Sequence, residues 1–156
     1  MTRQQCVEKY GAIDFASRYW PDQKKHMGML EIPSTWFPNW VVAGTKIQVK
    51  HIYCNNDMNR PLFYALQSIS AEGLGGELHT FDGCFNIRAV RGSSSFSLHS
   101  YGLALDIYAA RNPMSYILRT TFSDRFIKCF KEQGFYWGGD WKGRKDAMHF
   151  SYGVNG

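Results

Sequence analysis

No stretch of this 156-residue chain stays apolar over anything near the ~20 residues a bilayer-spanning helix requires, so no membrane insertion is expected. The opening Met1-Thr2-Arg3-Gln4-Gln5-Cys6-Val7-Glu8-Lys9 leads into no apolar core with a small-residue cleavage site, which argues against an ordinary secretory leader. Internal repeats, low-complexity tracts and Pro/Gly/Ser linkers are all missing, and a single domain over 1–156 is expected. The four cysteines, Cys6, Cys54, Cys84 and Cys129, contain no Cys-x-x-Cys pair and have no histidine at zinc-finger spacing. Reduced, buried thiols are therefore expected in place of a disulfide framework. Acidic residues are the scarcer charge, 13 against 18 Lys plus Arg, which leaves a net +5 suited to nucleic acid, membrane or an anionic wall polymer. The cations form no stripe along the sequence and no RNA- or DNA-binding signature accompanies them, so no nucleic-acid partner is expected.

What is present is enough apolar material for a core: 44% of residues are hydrophobic and 16% aromatic. A packed enzyme or binding module follows, not a disordered chain or a stapled mini-protein. Residues 1–45, broken by Trp20-Pro21, Pro33 and Pro38, read as a short helix and a loop-rich wrap around a catalytic core of 46–156. Lys46 to Tyr53 alternates polar and apolar side chains, the pattern of a half-buried strand. A helix follows, with Asp57 or Asn59 as cap, Pro61 in its first turn, Leu62, Ala65, Leu66 and Ile69 on one face, and Gly73 beyond its end. Glu77–Phe81 and Leu103–Tyr108 read as strands, and Ser123 caps a second helix that runs to Gly134. Strands and helices without strict alternation predict an α+β fold, a small antiparallel sheet flanked by helices.

The chemistry concentrates in two segments. Ser97-Leu98-His99-Ser100-Tyr101-Gly102-Leu103-Ala104-Leu105-Asp106 sets an imidazole and a carboxylate on either side of a glycine that permits a tight turn. Asp146-Ala147-Met148-His149-Phe150 adds a second imidazole with a carboxylate three residues before it. Two histidines and one aspartate suit zinc with one position open to water. On spacing alone, unrelated histidines and ordinary surface or capping carboxylates account for the same residues equally well.

The surrounding residues tip the balance. Ser97-x-His99-x-x-Gly102-x-Ala104-x-Asp106 resembles the first metal motif of the zinc D-alanyl-D-alanine carboxypeptidase and L-alanyl-D-glutamate peptidase family, which includes many phage endolysins. Trp137-Gly138-Gly139-Asp140-Trp141 followed by Asp146-x-Met148-His149-Phe150 resembles its second. With Asp82 to Gly92 included, the likeness spans roughly 60–152. It implies the Hedgehog/DD-peptidase-like zinc carboxypeptidase fold, one Zn2+ per chain on His99, Asp106 and His149, and Asp146 as general acid/base. It also implies an oxyanion-stabilising arginine, for which Arg88 is favoured over Arg91 because it follows the Gly83-Cys84-Phe85-Asn86 segment. Ser151 departs from the Glu or Gln of many relatives, which bears on a partner of the ligands and not on a ligand. Asp140 is a secondary carboxylate, read as fixing its turn.

His26, His51 and His79 lack partners at ligand spacing and read as surface or satisfied core residues; Trp20, Trp36 and Trp40 read as packing for the wrap. Ser93-Ser94-Ser95 carries no nucleophile elbow. The expected activity is hydrolysis of a peptidoglycan stem-peptide bond, of the L-alanyl-D-glutamate or D-alanyl type, by a monomeric phage endolysin held in the host cytoplasm until lysis. A bacterial D-Ala-D-Ala carboxypeptidase and a zinc-stabilised, non-catalytic wall-binding module are the alternatives; a carboxylate such as Asp146 beside the open metal position distinguishes an enzyme from a binder.

Overall fold

In the computed structural model, which describes residues 1–90 and 93–156, the chain begins with helix α1 (Arg3–Tyr10). A capping box starts it: the Thr2 hydroxyl accepts from the Gln5 amide while the Gln5 side chain accepts from the Thr2 amide. A short helix α2 (Gln23–His26) runs into strand β1 (Met27–Glu31), and β2 is only Val41–Val42. Strand β3 (His51–Asn55) pairs antiparallel with β1, so the N-terminal region contributes a ladder as well as a wrap. The alternating stretch expected from Lys46 is a strand only in its last three residues. Before that, Val49 donates its amide to the Trp40 carbonyl and Ile47 lies two-thirds exposed.

Helix α3 (Asn56–Ala71) starts earlier than expected because Asn55 is its cap, its side chain accepting from the Asp57 amide at 2.9 Å. Pro61 consequently falls beyond the first turn, inside the helix. The face carrying Met58, Leu62, Ala65, Leu66 and Ile69 is fully buried, as the spacing predicts. Strand β4 (Thr80–Gly83), β5 (Ala104–Ile107), β6 (Met114–Ser115), helix α4 (Asp124–Lys131), β7 (Phe135–Trp137), β8 (Lys145–Asp146) and β9 (His149–Tyr152) complete the order.

The main sheet runs β2-β4-β5-β9-β7. It is antiparallel except at its edge, where β2 pairs parallel with β4, a correction to the all-antiparallel expectation. The pairing is possible because β3 and α3 intervene between the two strands, long enough for the crossover that a parallel pair needs. Strands β6 and β8 form a separate two-stranded ladder. Helix α4, capped by Ser123 as expected, lays Phe126 and Phe130 on Phe150 of β9, with the Phe130 and Phe150 rings stacked at 4.2 Å. One hydrophobic cluster extends from Cys6 to Val154. Trp20 and Trp40 lie within it, and the Trp20 indole donates to the Tyr10 carbonyl at 2.8 Å. All four cysteines are free and buried.

Candidate metal centre

His99 stands on a 3-10 turn, Leu98–Tyr101, and donates its amide to the Ser97 hydroxyl that caps the turn. The chain then reverses at Gly102, which adopts left-handed backbone (φ 66°). A Cβ at Gly102 would approach the Asn55 amide nitrogen to 2.8 Å and press on the Met27 side chain, so only glycine fits the turn that feeds β5. Asn55 donates its side-chain amide to the Tyr101 carbonyl, tying this turn to the start of α3.

Asp106 and His149 meet by strand register. They are cross-strand partners on β5 and β9, and His149 Nδ1 lies 3.3 Å from Asp106 Oδ1. His99 Nε2 approaches the other carboxylate oxygen to 3.2 Å. One potential ligand atom from each of the three residues falls within a 4.8 Å cluster that could hold a metal ion. The outward nitrogens are also taken: His99 Nδ1 lies 2.7 Å from the Cys84 carbonyl and His149 Nε2 lies 3.1 Å from the Gly156 carbonyl. Each imidazole therefore gives its N–H to a backbone carbonyl and turns its other nitrogen toward Asp106, the arrangement that fixes the tautomer of a metal-binding histidine. Apart from that approach to Asp106, His99 Nε2 is buried with no other partner, which fits a cation there.

The electrostatics agree with that donor set. Burial alone would raise the Asp106 pKa, but hydrogen bonds and charge from His149 and His99 in their protonated forms, which occupy the place of a cation, hold it well below the usual carboxylate range. Burial opposes protonation of His99, yet Asp106 and the Cys84 carbonyl raise its pKa overall.

Asp146 arrives by a different route. It ends β8, and the Trp137-Gly138-Gly139 motif seats it: the Trp137 indole donates to the Ala147 carbonyl at 2.7 Å, and a Cβ at Gly138 would collide with the Asp146 carbonyl. Its Oδ1 is buried and unpartnered. Burial raises its pKa, with the Asp106 charge adding to this and those of His149, His99 and Arg88 opposing.

Arg88 is exposed and lines a shallow cavity of about 70 Å³ together with Asp82, Cys84, Asn86, His99 and Asp106. Its backbone is pinned on both sides by Ser100, whose hydroxyl accepts from the Arg88 amide at 3.0 Å and donates to the Arg88 carbonyl at 2.9 Å. Arg91 lies outside the described residues. A larger cavity of about 290 Å³ among Trp36, Phe37, Trp40 and His79 touches none of the ligand set, so the chemistry belongs to the smaller one.

Residues 91–152 match the family model described as D-alanyl-D-alanine carboxypeptidase. The matched stretch takes in Ser97 to Asp106 and Trp137 to Phe150, so the model and the likeness read from the two motifs agree over that part of the chain. The match begins after Arg88 and covers 62 of the 156 residues, less than the 60–152 over which the likeness was read. It supports a metallopeptidase in general.

Other expectations resolve outside the cluster. Asp140 faces outward to Lys131 at 2.6 Å, away from any catalytic use, and Ser151 donates to the Val154 carbonyl at 2.7 Å. His26 stacks on Trp20, and His79 stacks on Tyr108. Cys84, Ser100 and Gly156 were missed as contributors. The first and last act through backbone carbonyls, which leave no mark in a sequence, whereas Ser100 sits inside the first motif beside His99.

Proposed function

We propose that this chain is a zinc-dependent peptidase that hydrolyses a stem-peptide bond of bacterial peptidoglycan, acting as a monomeric phage endolysin that waits in the host cytoplasm. One observation carries the reading: a His99, Asp106 and His149 cluster with both outward imidazole nitrogens committed to carbonyls, accompanied by a buried, unpartnered Asp146 oxygen. The family match supports a wall-directed metallopeptidase in general.

His99, Asp106 and His149 would hold the metal. Zinc in such a site polarises a carbonyl and makes water nucleophilic near neutrality. Asp146 accepts the proton of the attacking water and returns it to the leaving amine. Arg88, at the rim of the same cavity, stabilises the oxygen that gains charge, an interaction worth roughly 3–4 kcal/mol on the scale of a single oxyanion donor. A wall-binding module without turnover would have no use for an unpaired carboxylate buried at this position.

The test compares two carboxylate variants on purified walls, with muropeptides analysed by mass spectrometry and metal content measured in parallel. Asp146→Asn is expected to keep zinc and lose at least ~100-fold in turnover, since the amide cannot accept a proton. Asp106→Asn is expected to weaken zinc binding itself. Equal metal loss in both variants would overturn the assigned roles. The masses of the released fragments distinguish L-alanyl-D-glutamate from D-alanyl cleavage, and intact muropeptides from the zinc-loaded wild type would sink the peptidase reading.

A further inference from the structure

Among the described residues the two most exposed large hydrophobic side chains are adjacent in sequence and rigidly mounted. Tyr116 is 75% and Ile117 73% exposed, with Met114 and Leu118 about two-fifths exposed on either side. These residues cap a loop whose neck is closed by Asn112, a side chain with no exposed surface. Its amide donates to the Tyr108 carbonyl at 3.0 Å and to the Thr121 hydroxyl at 2.9 Å. Its oxygen accepts from the Thr120 hydroxyl at 2.7 Å and the Thr121 amide at 3.0 Å. Immediately beyond, Phe122 is buried and stacked on Phe126. A loop held this firmly at its base does not bury its tip by folding back.

The charge on the two segments that carry the tip is basic, the acid of their ladder being the part-buried Asp146 opposite Met114. Residues 107–123 contain Arg111 and Arg119 and no acidic residue; residues 141–145 contain Lys142, Arg144 and Lys145 and again no acid. The β6–β8 ladder joins the two segments: Ser115 pairs with Lys145, so Tyr116 and Arg144 leave it at the same end. Among the described residues none of these five cations takes part in a salt bridge. Setting them aside leaves 13 Lys plus Arg against 13 Asp plus Glu in the rest of the chain, so the whole net +5 resides on these two segments.

We infer that the 112–121 loop and the facing 141–145 turn form a docking surface for an anionic lipid bilayer. Tyr116 and Ile117 enter the boundary between headgroups and acyl chains while the surrounding cations meet the phosphates. The combination of one apolar wedge with a polybasic patch is what reversible attachment requires. An anionic wall polymer would use the cations and leave Ile117 and Leu118 in water. A nucleic acid would stack on Tyr116 and find no use for the aliphatic pair. Attachment of this kind lies on the bilayer and needs no spanning helix, none of which is present among the described residues. The inference does not depend on hydrolysis.

The experiment is sedimentation of the full-length protein with phosphatidylglycerol-containing vesicles and with pure phosphatidylcholine vesicles. Binding to the anionic vesicles that weakens as salt rises is expected, with little to the neutral ones. Tyr116→Ser/Ile117→Ser, at exposed positions that leave the fold intact by circular dichroism, is expected to lower partitioning roughly tenfold or more. Arg111→Gln/Arg119→Gln/Arg144→Gln is expected to remove most of the salt dependence. Ile117→Trp places a fluorophore at the tip, and quenching by brominated acyl chains is expected. No binding of the wild type to anionic vesicles, or binding unchanged in the Tyr116/Ile117 variant, overturns the inference. So does binding of Ile117→Trp without quenching. Stem-peptide hydrolysis measured alongside reads the peptidase assignment separately.

Discussion

At the scale of single residues, the candidate centre combines side chains with invisible partners. His99, Asp106 and His149 are apparent from the amino-acid order because metal chemistry restricts which letters can serve. What orients them is not apparent. The Cys84 and Gly156 carbonyls are main-chain atoms that any residue could supply, and they become partners only once the turns are folded. Arg88 lies between these cases. Its backbone is fixed by the Ser100 hydroxyl and by the Ser97 amide, while the exposed guanidinium is held only by a long 3.4 Å bond to the Ala89 carbonyl and can exchange it for substrate. Arg88→Ala is expected to lower kcat about 100-fold or more on a defined stem peptide, with zinc content unchanged and KM little affected, because the lost interaction matters mainly in the transition state. Arg91→Ala is expected to act on KM or to do little. A large kcat loss confined to Arg91 would transfer the role.

At the scale of elements, the metal turn depends on one backbone position. Gly102→Ala would force a left-handed alanine against the Asn55 amide, combining a conformational penalty with overpacking. A loss of about 2–4 kcal/mol in denaturant unfolding is expected, together with weaker metal binding, since His99 and Asp106 flank the turn. An alanine variant as stable as the wild type would show that the turn relaxes. Helices α3 and α4 were legible because their buried faces repeat at helical spacing and Ser123 marks a start. Strand β1, Met27-Gly28-Met29-Leu30-Glu31, escaped notice because it has no β-branched residue and includes a glycine; pairing with β3 defines it, not local preference. The same pairing explains why the strand expected from Lys46 takes its ladder partners only from His51 onward.

Across the whole molecule, the distribution of charge was also hidden in the sequence. Arg111 and Arg144 are 33 positions apart, and only the β6–β8 ladder brings their segments together, so a search for a linear stripe finds none. A second long-range tie joins α1 to α3: the Tyr10 hydroxyl donates to Asp57 at 2.6 Å and Lys9 lies 3.0 Å from the same oxygen. Partial burial would raise the Asp57 pKa, but the Tyr10 hydrogen bond and Lys9 lower it below the ordinary value. A group depressed in the folded state stabilises above its unfolded pKa of about 3.9, and that contribution fades as pH falls through the folded value. Wild type is therefore expected to exceed Asp57→Asn in stability at neutral pH by under ~1 kcal/mol, given that the carboxylate is 43% exposed. The gap should close below about pH 4 in urea titrations; a gap that widens on acidification would refute the tie. The four buried thiols have a practical consequence of another kind. Cys6 lies on α1, Cys54 on β3, Cys84 after β4 and Cys129 on α4, and burial raises each thiol's pKa, to about 12 for Cys54 and Cys129. A disulfide reagent reaches such a sulfur only when its surroundings part, so labelling kinetics resolved by peptide mapping would time the opening around each thiol in the unaltered protein, with Cys54 and Cys84 reporting on neighbouring parts of the core.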